Sequence, residues 1–404
     1  MELDRRAYWI WLQHALQAGS SKPRHILESF GSIEDFYRAG HRSGACWIFT
    51  QRELSAMREY PLQEAQAQLA HCAQMGQTVL TPEDGEYPFL LRQIHNPPAV
   101  LYVQGELPDF AEVPAISIVG TRKATLVGKR VAHSLGYGLA KGGAVVVSGG
   151  ALGIDTAAHK GALLAGGKTV CVLGCGIDYP YLAANTSLRE AISHSGALLS
   201  EYPPGTPALR NHFPIRNRLI SGLSVGTVVV EAAEKSGSLL TANNAIHQNR
   251  DVFAVPGLVG SRMSQGPNNL LREGMTPVSC ANDILEEYLF RFPGKIHLEE
   301  SAESVMLIKA APQEQKPTPA CRKVPEGLSD DASALFQALS REPRALAELC
   351  SEAGVPAARA LPALTELELM GCIQGYSGRK IRLKTFLGFM KARPNVLWTG
   401  FHKV

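Results

Sequence analysis

Short apolar runs recur at regular intervals across the middle of the chain and divide it more clearly than any other feature. Six such runs alternate with segments of helical periodicity, at residues 115–119, 144–147, 169–173, 197–199, 227–230 and 252–255. Strands that are apolar on both faces and alternate with helices are typical of a parallel sheet covered on both sides. The pattern therefore predicts an α/β fold with an extended Rossmann-like parallel sheet.

The segments before the first run have a different pattern. Residues 1–75 carry apolar positions at helical spacing, broken at Gly-Ser and Pro positions, which predicts an N-terminal helical domain. The following stretch up to residue 114 is rich in proline and contains one short apolar run, at 99–103. We expect it to pack onto the sheet as an extension, so that residues 76–290 form one domain.

The segments after the sheet predict a second, smaller domain. Periodicity is lost over residues 291–328, where prolines, glutamines and lysines indicate a linker. Residues 329–384 then contain three helical segments and a glycine-containing hairpin, which predicts a winged helix. The last segment, 385–404, is a basic tail, and from Gly371 to Val404 there are seven Lys or Arg and no Asp or Glu.

The composition excludes several classes of protein. With 45% hydrophobic and 19% charged residues, the chain is typical of globular proteins, and no apolar run approaches the length that spans a bilayer. The N-terminus does not resemble a secretory signal, and the 8 cysteines lack the paired spacing of a zinc site. We therefore expect a cytoplasmic protein without metal, cofactor or membrane partner. The net charge of +3 identifies no partner, so only locally clustered charge is informative.

Two glycine-containing loops follow the first two predicted strands. The first strand ends at Gly120-Thr121-Arg122, which lacks the further glycines of a dinucleotide fingerprint but places an arginine at the start of a helix. The second ends at Ser148-Gly149-Gly150, where backbone N–H groups can approach an anion closely. These loops predict phosphate contacts; the alternative is that they are tight turns without a ligand.

The most informative segment is His-Phe-Pro-Ile-Arg-Asn-Arg at residues 212–218. Pro214 suits the first turn of a helix, where free N–H groups favour anions. Arg216, Asn217 and Arg218 would then lie beside Phe213 on a surface rim at the carboxyl end of the sheet, and replacing the arginines would leave the fold intact. Such a rim would bind phosphates and stack bases without reading sequence. The alternative is an ordinary run of surface charge.

The acids near this rim do not form a catalytic set. Asp155 stands at a predicted helix start and is expected to act as a cap or dipole partner, while Glu231 has no evident partner. No Walker loop, Gly-x-Ser-x-Gly elbow or His-Glu-x-x-His motif is present. The sequence therefore predicts a binding protein and not an enzyme.

These motifs resemble those of the DNA processing protein A (DprA/Smf) family. The similarity extends from about residue 8 to residue 383 and is strongest at 117–122, 148–155, 212–224 and 231–257. The resemblance implies a sterile-alpha-motif-like N-terminal domain, an extended Rossmann domain and a winged helix. It also implies a homodimer that binds single-stranded DNA and loads the RecA recombinase during natural transformation.

In that family the DNA pocket uses the arginine of the first loop, a lysine before the third strand and the Arg-Asn-Arg run. The corresponding residues here are Arg122, Lys168, Arg216, Asn217 and Arg218. Pro362 departs from expectation because it falls within the predicted recognition helix of the winged helix, where proline is costly. The winged helix is therefore expected to contribute little to DNA binding.

A second function remains open at this point. The sheet also resembles that of nucleoside-monophosphate phosphoribohydrolases, which place a catalytic glutamate just after a Gly-Gly-x-Gly-Thr turn. The comparable turn here is Gly-Ser-Leu-Leu-Thr at 237–241, and no carboxylate closely follows it. The alternative, a nucleotide-processing enzyme, would be distinguished by release of a free base from AMP.

Overall fold

A computed structural model describes residues 4–39, 48–298, 327–339, 344–376 and 380–383 of the chain. The chain divides into two compact units, Met1–Ala311 and Pro312–Val404. Among the described residues, no helix is both long enough and apolar enough to cross a bilayer. Over the same ranges, His, Cys, Asp and Glu side chains form no group of three or more that could hold a metal ion.

The first unit begins with helices packed around aromatic side chains. Asp4 caps the first helix through Arg6 N–H, and Thr50 with Glu53 forms a capping box on the fourth. Trp9, Trp11 and Phe36 are buried between the helices. The helical pattern predicted for this part of the chain is present over residues 4–39 and 48–75, with α1 Arg5–Ala15, α2 Lys22–Phe30, α3 Ile33–Ala39, α4 Gln51–Glu59 and α5 Leu62–Gln74.

A single nine-stranded sheet follows within residues 48–298, and its strand order is β1-β2-β6-β5-β4-β3-β7-β8-β9. The first two strands come from the proline-rich extension and pair antiparallel at one edge, as the expected packing onto the sheet requires. The remaining neighbours are all parallel. The strands are β1 Gln77–Leu80, β2 Leu101–Gly105, β3 Ala115–Val119, β4 Val145–Ser148, β5 Thr169–Leu173, β6 Ala197–Ser200, β7 Gly226–Val229, β8 Asp251–Ala254 and β9 Thr276–Pro277.

Helices cover the sheet on both faces and complete a doubly wound α/β domain. The chain proceeds from β3 outward through β4 and β5 to β6, then crosses back to place β7 on the other side of β3. The strand order reverses at β3, and ligands of such folds bind outside the carboxyl ends of strands at this switch point. The helices of the domain are α6 Phe89–Gln93, α7 Leu126–Lys141, α8 Ile154–Leu164, α9 Thr186–Ser195, α10 His212–Leu223, α11 Gly237–His247, α12 Gln265–Arg272 and α13 Asn282–Leu285.

The domain extends further along the chain than its sequence pattern indicates. The linker was expected to begin at residue 291, but Phe292 and Ile296 are buried in the core beneath α7 and α13. The backbone is also held there, because His297 N donates a hydrogen bond to Gly142 O at 3.0 Å, a normal length for a bond between amides. The predicted domain boundary at residue 290 is therefore wrong. Phe292 and Ile296 complete the core, but two apolar residues among polar neighbours do not form a periodic pattern that the sequence would reveal.

The second unit has the predicted winged-helix order. Three helices pack on Leu335, Leu349 and Leu367, and a three-stranded sheet has the order β10-β12-β11. Pro362 lies inside the third helix, as expected, and the helix continues through it. The elements are α14 Asp330–Ala338, β10 Arg344–Ala345, α15 Leu346–Ala353, α16 Ala357–Leu369, β11 Ile373–Tyr376 and β12 Lys380–Leu383. The basic tail at 385–404 lies outside the described residues.

Candidate functional site

A cavity of about 430 Å³ opens at the switch point of the sheet. The loops after β3, β4 and β7 form its walls, and the first turns of α10 and α11 close it. We call it the switch-point cavity; the residues that line it include Gly120, Thr121, Arg122, Asp155, Phe213, Pro214, Arg216, Asn217, Lys235 and Ser236. Its position agrees with the binding location that the doubly wound fold predicts.

Two arginines converge on one aromatic ring in this cavity. The guanidinium carbon of Arg122 lies 4.9 Å from the centroid of the Phe213 ring, and that of Arg216 lies 5.9 Å from it. Tyr181 approaches the same ring at 5.4 Å between centroids. Cations at these distances interact favourably with the face of a ring. The site thus combines positive charge for phosphate with an aromatic surface on which a base can stack.

Arg216 is a buried residue and not the surface residue that was expected. It is only 4% exposed, and its Nη1 donates to Gly149 O at 2.9 Å and also to Val172 O. Burial lowers the pKa of its guanidinium, although arginine stays protonated in proteins. Gly149 is required beneath it, because a Cβ there would lie 2.7 Å from Arg216 Nη2. Arg216 therefore supports the cavity wall as well as supplying its charge.

The glycine loop after β4 binds an internal carboxylate. Asp155, in the first turn of α8, accepts a hydrogen bond from Ala151 N at 3.3 Å, and the Gly149 amide also favours its charged form. Burial raises the pKa of this carboxyl to about 6, opposed by the nearby charge of Arg216. The amides of Gly149 and Ala151 therefore favour an internal carboxylate, where phosphate contacts were predicted, and this acid belongs to the helix that follows the loop.

Ser148 and Gly150 also have structural roles. Ser148 is fully buried and its Oγ donates to Ile118 O at 2.6 Å, which ties β4 to β3. Gly150 adopts a φ of 65°, a conformation that glycine accepts readily, and its carbonyl accepts from Asn185 Nδ2 at 3.0 Å. Neither residue lines the switch-point cavity, so the predicted phosphate contacts of this loop are not brought to it.

Glu231 has a partner that the sequence did not reveal. Its carboxylate accepts from Thr125 N at 2.9 Å and from Thr125 Oγ1 at 2.6 Å. It packs against Gly128, where a Cβ would come within 2.2 Å of Glu231 Cδ. Thr121 N donates to the backbone oxygen of Glu231 at 2.7 Å. The end of β7 therefore anchors both ends of the loop that carries Arg122.

Two of the predicted site residues lie elsewhere. Lys168 precedes β5, at the amino end of the parallel strands, and its Nζ lies 3.6 Å from Glu106 Oε1. Arg218 points away from the switch-point cavity and is buried, with its Nη2 donating to Glu201 Oε1 at 2.6 Å. The expectation of a single surface rim is therefore wrong for both residues. Lys168 lies at the opposite end of the parallel strands from the cavity, and Arg218 lies on a different side of α10 from Arg216.

Asn217 connects the two helices that close the cavity. Its Nδ2 donates to Gly237 O at 3.2 Å, while its Oδ1 accepts from Arg216 Nε at 3.3 Å. Tyr181 and Lys235 were not among the predicted site residues, although Tyr181 contacts the Phe213 ring and Lys235 lines the cavity. Lys235 could have been found because it follows β7 at the carboxyl edge, whereas the approach of Tyr181 to Phe213 depends on a long loop.

Comparison with known proteins gives consistent matches over most of the chain. Residues 78–289 match the family described as DNA recombination-mediator protein A, and residues 315–379 match the DprA winged helix domain. Protein Smf of Synechocystis is 30% identical over 418 residues, covering 94% of this chain and 99% of the relative. DNA processing protein DprA of Bacillus subtilis is 41% identical over 219 residues, covering 54% of this chain and 74% of the relative.

A solved structure has the same architecture. The X-ray structure of DNA processing protein A from Streptococcus pneumoniae is 32% identical in sequence, with a TM-score of 0.61. The match covers 71% of this chain and 99% of that one.

Proposed function

The chain belongs to the DNA recombination-mediator protein A family, and from that premise we propose that it binds single-stranded DNA without sequence preference at the switch-point cavity. In the same proposal, the bound strand is delivered to the RecA recombinase in the cytoplasm, and the protein acts as a homodimer. The observation that carries the DNA-binding proposal is the convergence of Arg122 and Arg216 on Phe213 at the carboxyl end of the sheet.

The composition of the cavity favours backbone recognition over base reading. Arg122 lines the cavity and is exposed, so it is available to phosphate, and Lys235 adds a second exposed cation to the lining. Phe213 is half-exposed and can stack on any base, a contact that contributes about 1–3 kcal/mol per base. Asn217 also lines this cavity, and both ends of its side-chain amide are already hydrogen-bonded. Sequence-specific contacts are therefore few.

The cavity also favours single strands over duplex. Duplex DNA buries the faces of its bases, so it cannot use the Phe213 ring, and its stiffness opposes bending into a cavity of this size. A single strand can turn one base onto the ring while its neighbouring phosphates meet the arginines. This geometry supports a binding site along which a flexible strand passes.

The arrangement of carboxylates supports a binding function over the phosphoribohydrolase alternative. A hydrolase of that type needs an acid just after the turn at 237–241, and α11, which begins there, carries no Asp or Glu. Glu231 is bonded to Thr125, and Asp155 is bonded to the glycine loop. Both acids are therefore used in holding loops. Release of a free base from AMP would contradict the proposal.

The site assignment is tested by Arg122→Ala and Phe213→Leu, with Arg58→Ala as the matched control. Arg58 is exposed on α4 and lies outside the cavity lining. Fluorescence anisotropy with mixed-sequence single strands, oligo-dT and blunt duplex should show similar affinities for the two single strands and weaker duplex binding. Arg122→Ala should also reduce the slope of affinity against salt by about one, because one fewer counterion is released.

Phe213→Leu should weaken single-strand binding without changing that slope, while Arg58→Ala should resemble the unmodified protein. Equal competition by duplex, or equal losses for Arg58→Ala and Arg122→Ala, would contradict the assignment. The recombinase step needs a separate measurement, in which the protein accelerates assembly of RecA filaments on strands covered by single-strand-binding protein.

A further inference from the structure

A second cavity, also of about 430 Å³, lies on the other side of α10. We call it the rear cavity; its lining includes His95, Asn96, Pro214, Arg218, Asn244 and His247. Pro214, in the first turn of α10, lines both this cavity and the switch-point cavity. The two cavities are therefore neighbours on either side of one helix turn.

Arg218, which lines the rear cavity, has buried hydrogen-bond donors without an acceptor among the described residues. Its side chain is 6% exposed, and Nη2 is bonded to Glu201. Within the described part of the chain, its Nε and Nη1 have no acceptor. The Nε atom lies 3.8 Å from the place a Cβ would take on Gly19, which forms part of the cavity wall. Because a buried guanidinium is costly when its donors are unpaired, these atoms favour a ligand that carries acceptors.

The rest of the lining favours an anion. His95 and His247 are exposed at the cavity and can donate hydrogen bonds, and Asn96 and Asn244 add amide groups. No carboxylate is among the residues that line it. Glu201, the partner of Arg218, lines a different cavity on the far side of the ion pair. The rear cavity is therefore lined by the arginine of this ion pair and not by its carboxylate.

We propose that the rear cavity is a phosphate site, and that it holds a phosphate of the same DNA strand whose base lies in the switch-point cavity. This inference rests on the proposed DNA binding and extends it. A strand leaving the Phe213 ring across Pro214 would enter the rear cavity directly. The bound length of DNA would then include nucleotides on both sides of the first turn of α10.

The test uses His247→Glu, which places a negative charge at the rear cavity without touching the buried ion pair. Arg218 itself is unsuitable, because its removal would leave the buried Glu201 carboxylate without the opposite charge of its ion pair. The matched control is His71→Glu. Both histidines are exposed and lie in the last turn of a helix, α11 and α5, so the helix dipole affects the two substitutions equally.

Binding is measured for a thymidine trinucleotide and for a long oligo-dT. For the long strand, His247→Glu should weaken binding about tenfold and lower the salt slope by about one, as loss of a phosphate contact requires. Its affinity for the trinucleotide should be unchanged, because that ligand fits within the switch-point cavity. His71→Glu should leave both affinities unchanged. Equal losses for both ligands, or no loss for the long strand, would overturn the inference.

A second arm separates the strand from free phosphate. Inorganic phosphate is titrated while the melting temperature of the full chain is followed. If phosphate stabilises the protein and His247→Glu abolishes that effect while long-strand binding is unchanged, the site takes free phosphate and the inference about the strand is overturned. If the unmodified protein binds neither oligonucleotide, the proposed DNA binding fails together with the inference. If the unmodified protein binds the trinucleotide but His247→Glu does not weaken binding of the long strand, the inference alone is overturned.

Discussion

At the scale of single residues, the two arginines of the switch-point cavity have different environments and should respond differently to substitution. Arg122 is exposed, and the side-chain contact that positions it is the Phe213 ring. Arg216 is buried, and it donates to two backbone carbonyls. The sequence predicted both arginines, with Phe213 and Arg218, on one rim at the carboxyl end of the sheet, and the structure brings Arg122, Arg216 and Phe213 together there. Sequence patterns could not predict the exposure of Arg216, which depends on β4 and β5 lying beside α10.

Arg216→Ala should therefore damage both the fold and DNA binding. The free energy of unfolding should fall by about 1.5–3 kcal/mol for each hydrogen bond lost from the charged donor. Arg122→Ala should change it by less than about 0.5 kcal/mol, as surface substitutions usually do. Denaturant titration and anisotropy on the same samples check this. If Arg216→Ala unfolded at the same denaturant concentration as the unmodified protein, the buried hydrogen bonds of Arg216 would contribute nothing to the free energy of unfolding.

Asp155 should make DNA binding depend on pH. Its pKa of about 6 means that the carboxylate is charged at neutral pH and opposes the positive potential of Arg216 and Arg122. Affinity for single strands should therefore rise as the pH falls from about 7.5 to about 5, as this group becomes protonated. Asp155→Asn should bind more tightly at neutral pH and lose this dependence. An unchanged pH profile in the variant would exclude Asp155 as the cause.

The same substitution should affect stability in a defined direction. Burial raises the pKa from 3.8 to about 6, so the folded protein binds the proton more tightly and the contribution of Asp155 to stability falls as the pH rises through this range. A difference of this size corresponds to about 3 kcal/mol. Asp155→Asn should therefore be more stable than the unmodified protein at neutral pH by up to about that amount, with the difference disappearing near pH 4. Chemical denaturation across this range provides the measurement.

At the scale of elements, the position of the site follows from the order of the strands. Apolar runs predicted the strands of the parallel sheet closely, because burial on both faces leaves a local signal. The switch point at β3 depends on which strands pair, and that information is not local. Lys168 illustrates the limit of the resemblance: it precedes its strand, so strand direction alone places it at the opposite edge from Arg122.

The hydrogen bonds from Thr125 to Glu231 should be needed to present Arg122. Glu231→Ala removes both bonds to Thr125, the residue that caps α7, and should lower the free energy of unfolding by about 1–3 kcal/mol. DNA affinity should also fall, because the loop that carries Arg122 becomes less ordered. The salt slope should stay the same, since every arginine remains.

Glu234→Ala, an exposed acid three residues further along, is the control and should change neither quantity. A loss of stability in Glu231→Ala with full DNA affinity would show that order in this loop is not required for binding.

At the scale of the whole molecule, the distribution of charge along the sequence and the extent of the hydrophobic core point to different parts of the chain. The net charge of +3 gives no indication of the cavity, whereas seven Lys or Arg without any acid lie between Gly371 and Val404. The proposed site lies entirely within the unit Met1–Ala311. This unit is completed by Phe292 and Ile296, which the sequence pattern assigned to a linker. Residues that close a core from a segment without periodicity are difficult to recognise before the packing is known.

A chain ending at Ala311 should therefore keep its fold and most of its affinity for single-stranded DNA at physiological salt. Some affinity should be lost at low salt, because the basic segment at the C-terminus attracts any polyanion when screening is weak. A chain ending at Phe290 is the informative comparison, since it removes Phe292 and Ile296 from the core beneath α7 and should have a lower melting temperature. Melting curves and anisotropy at two salt concentrations distinguish these outcomes. If the chain ending at Ala311 melts normally but no longer binds at physiological salt, the DNA site lies in the C-terminal unit, and the winged helix replaces the switch-point cavity as its location.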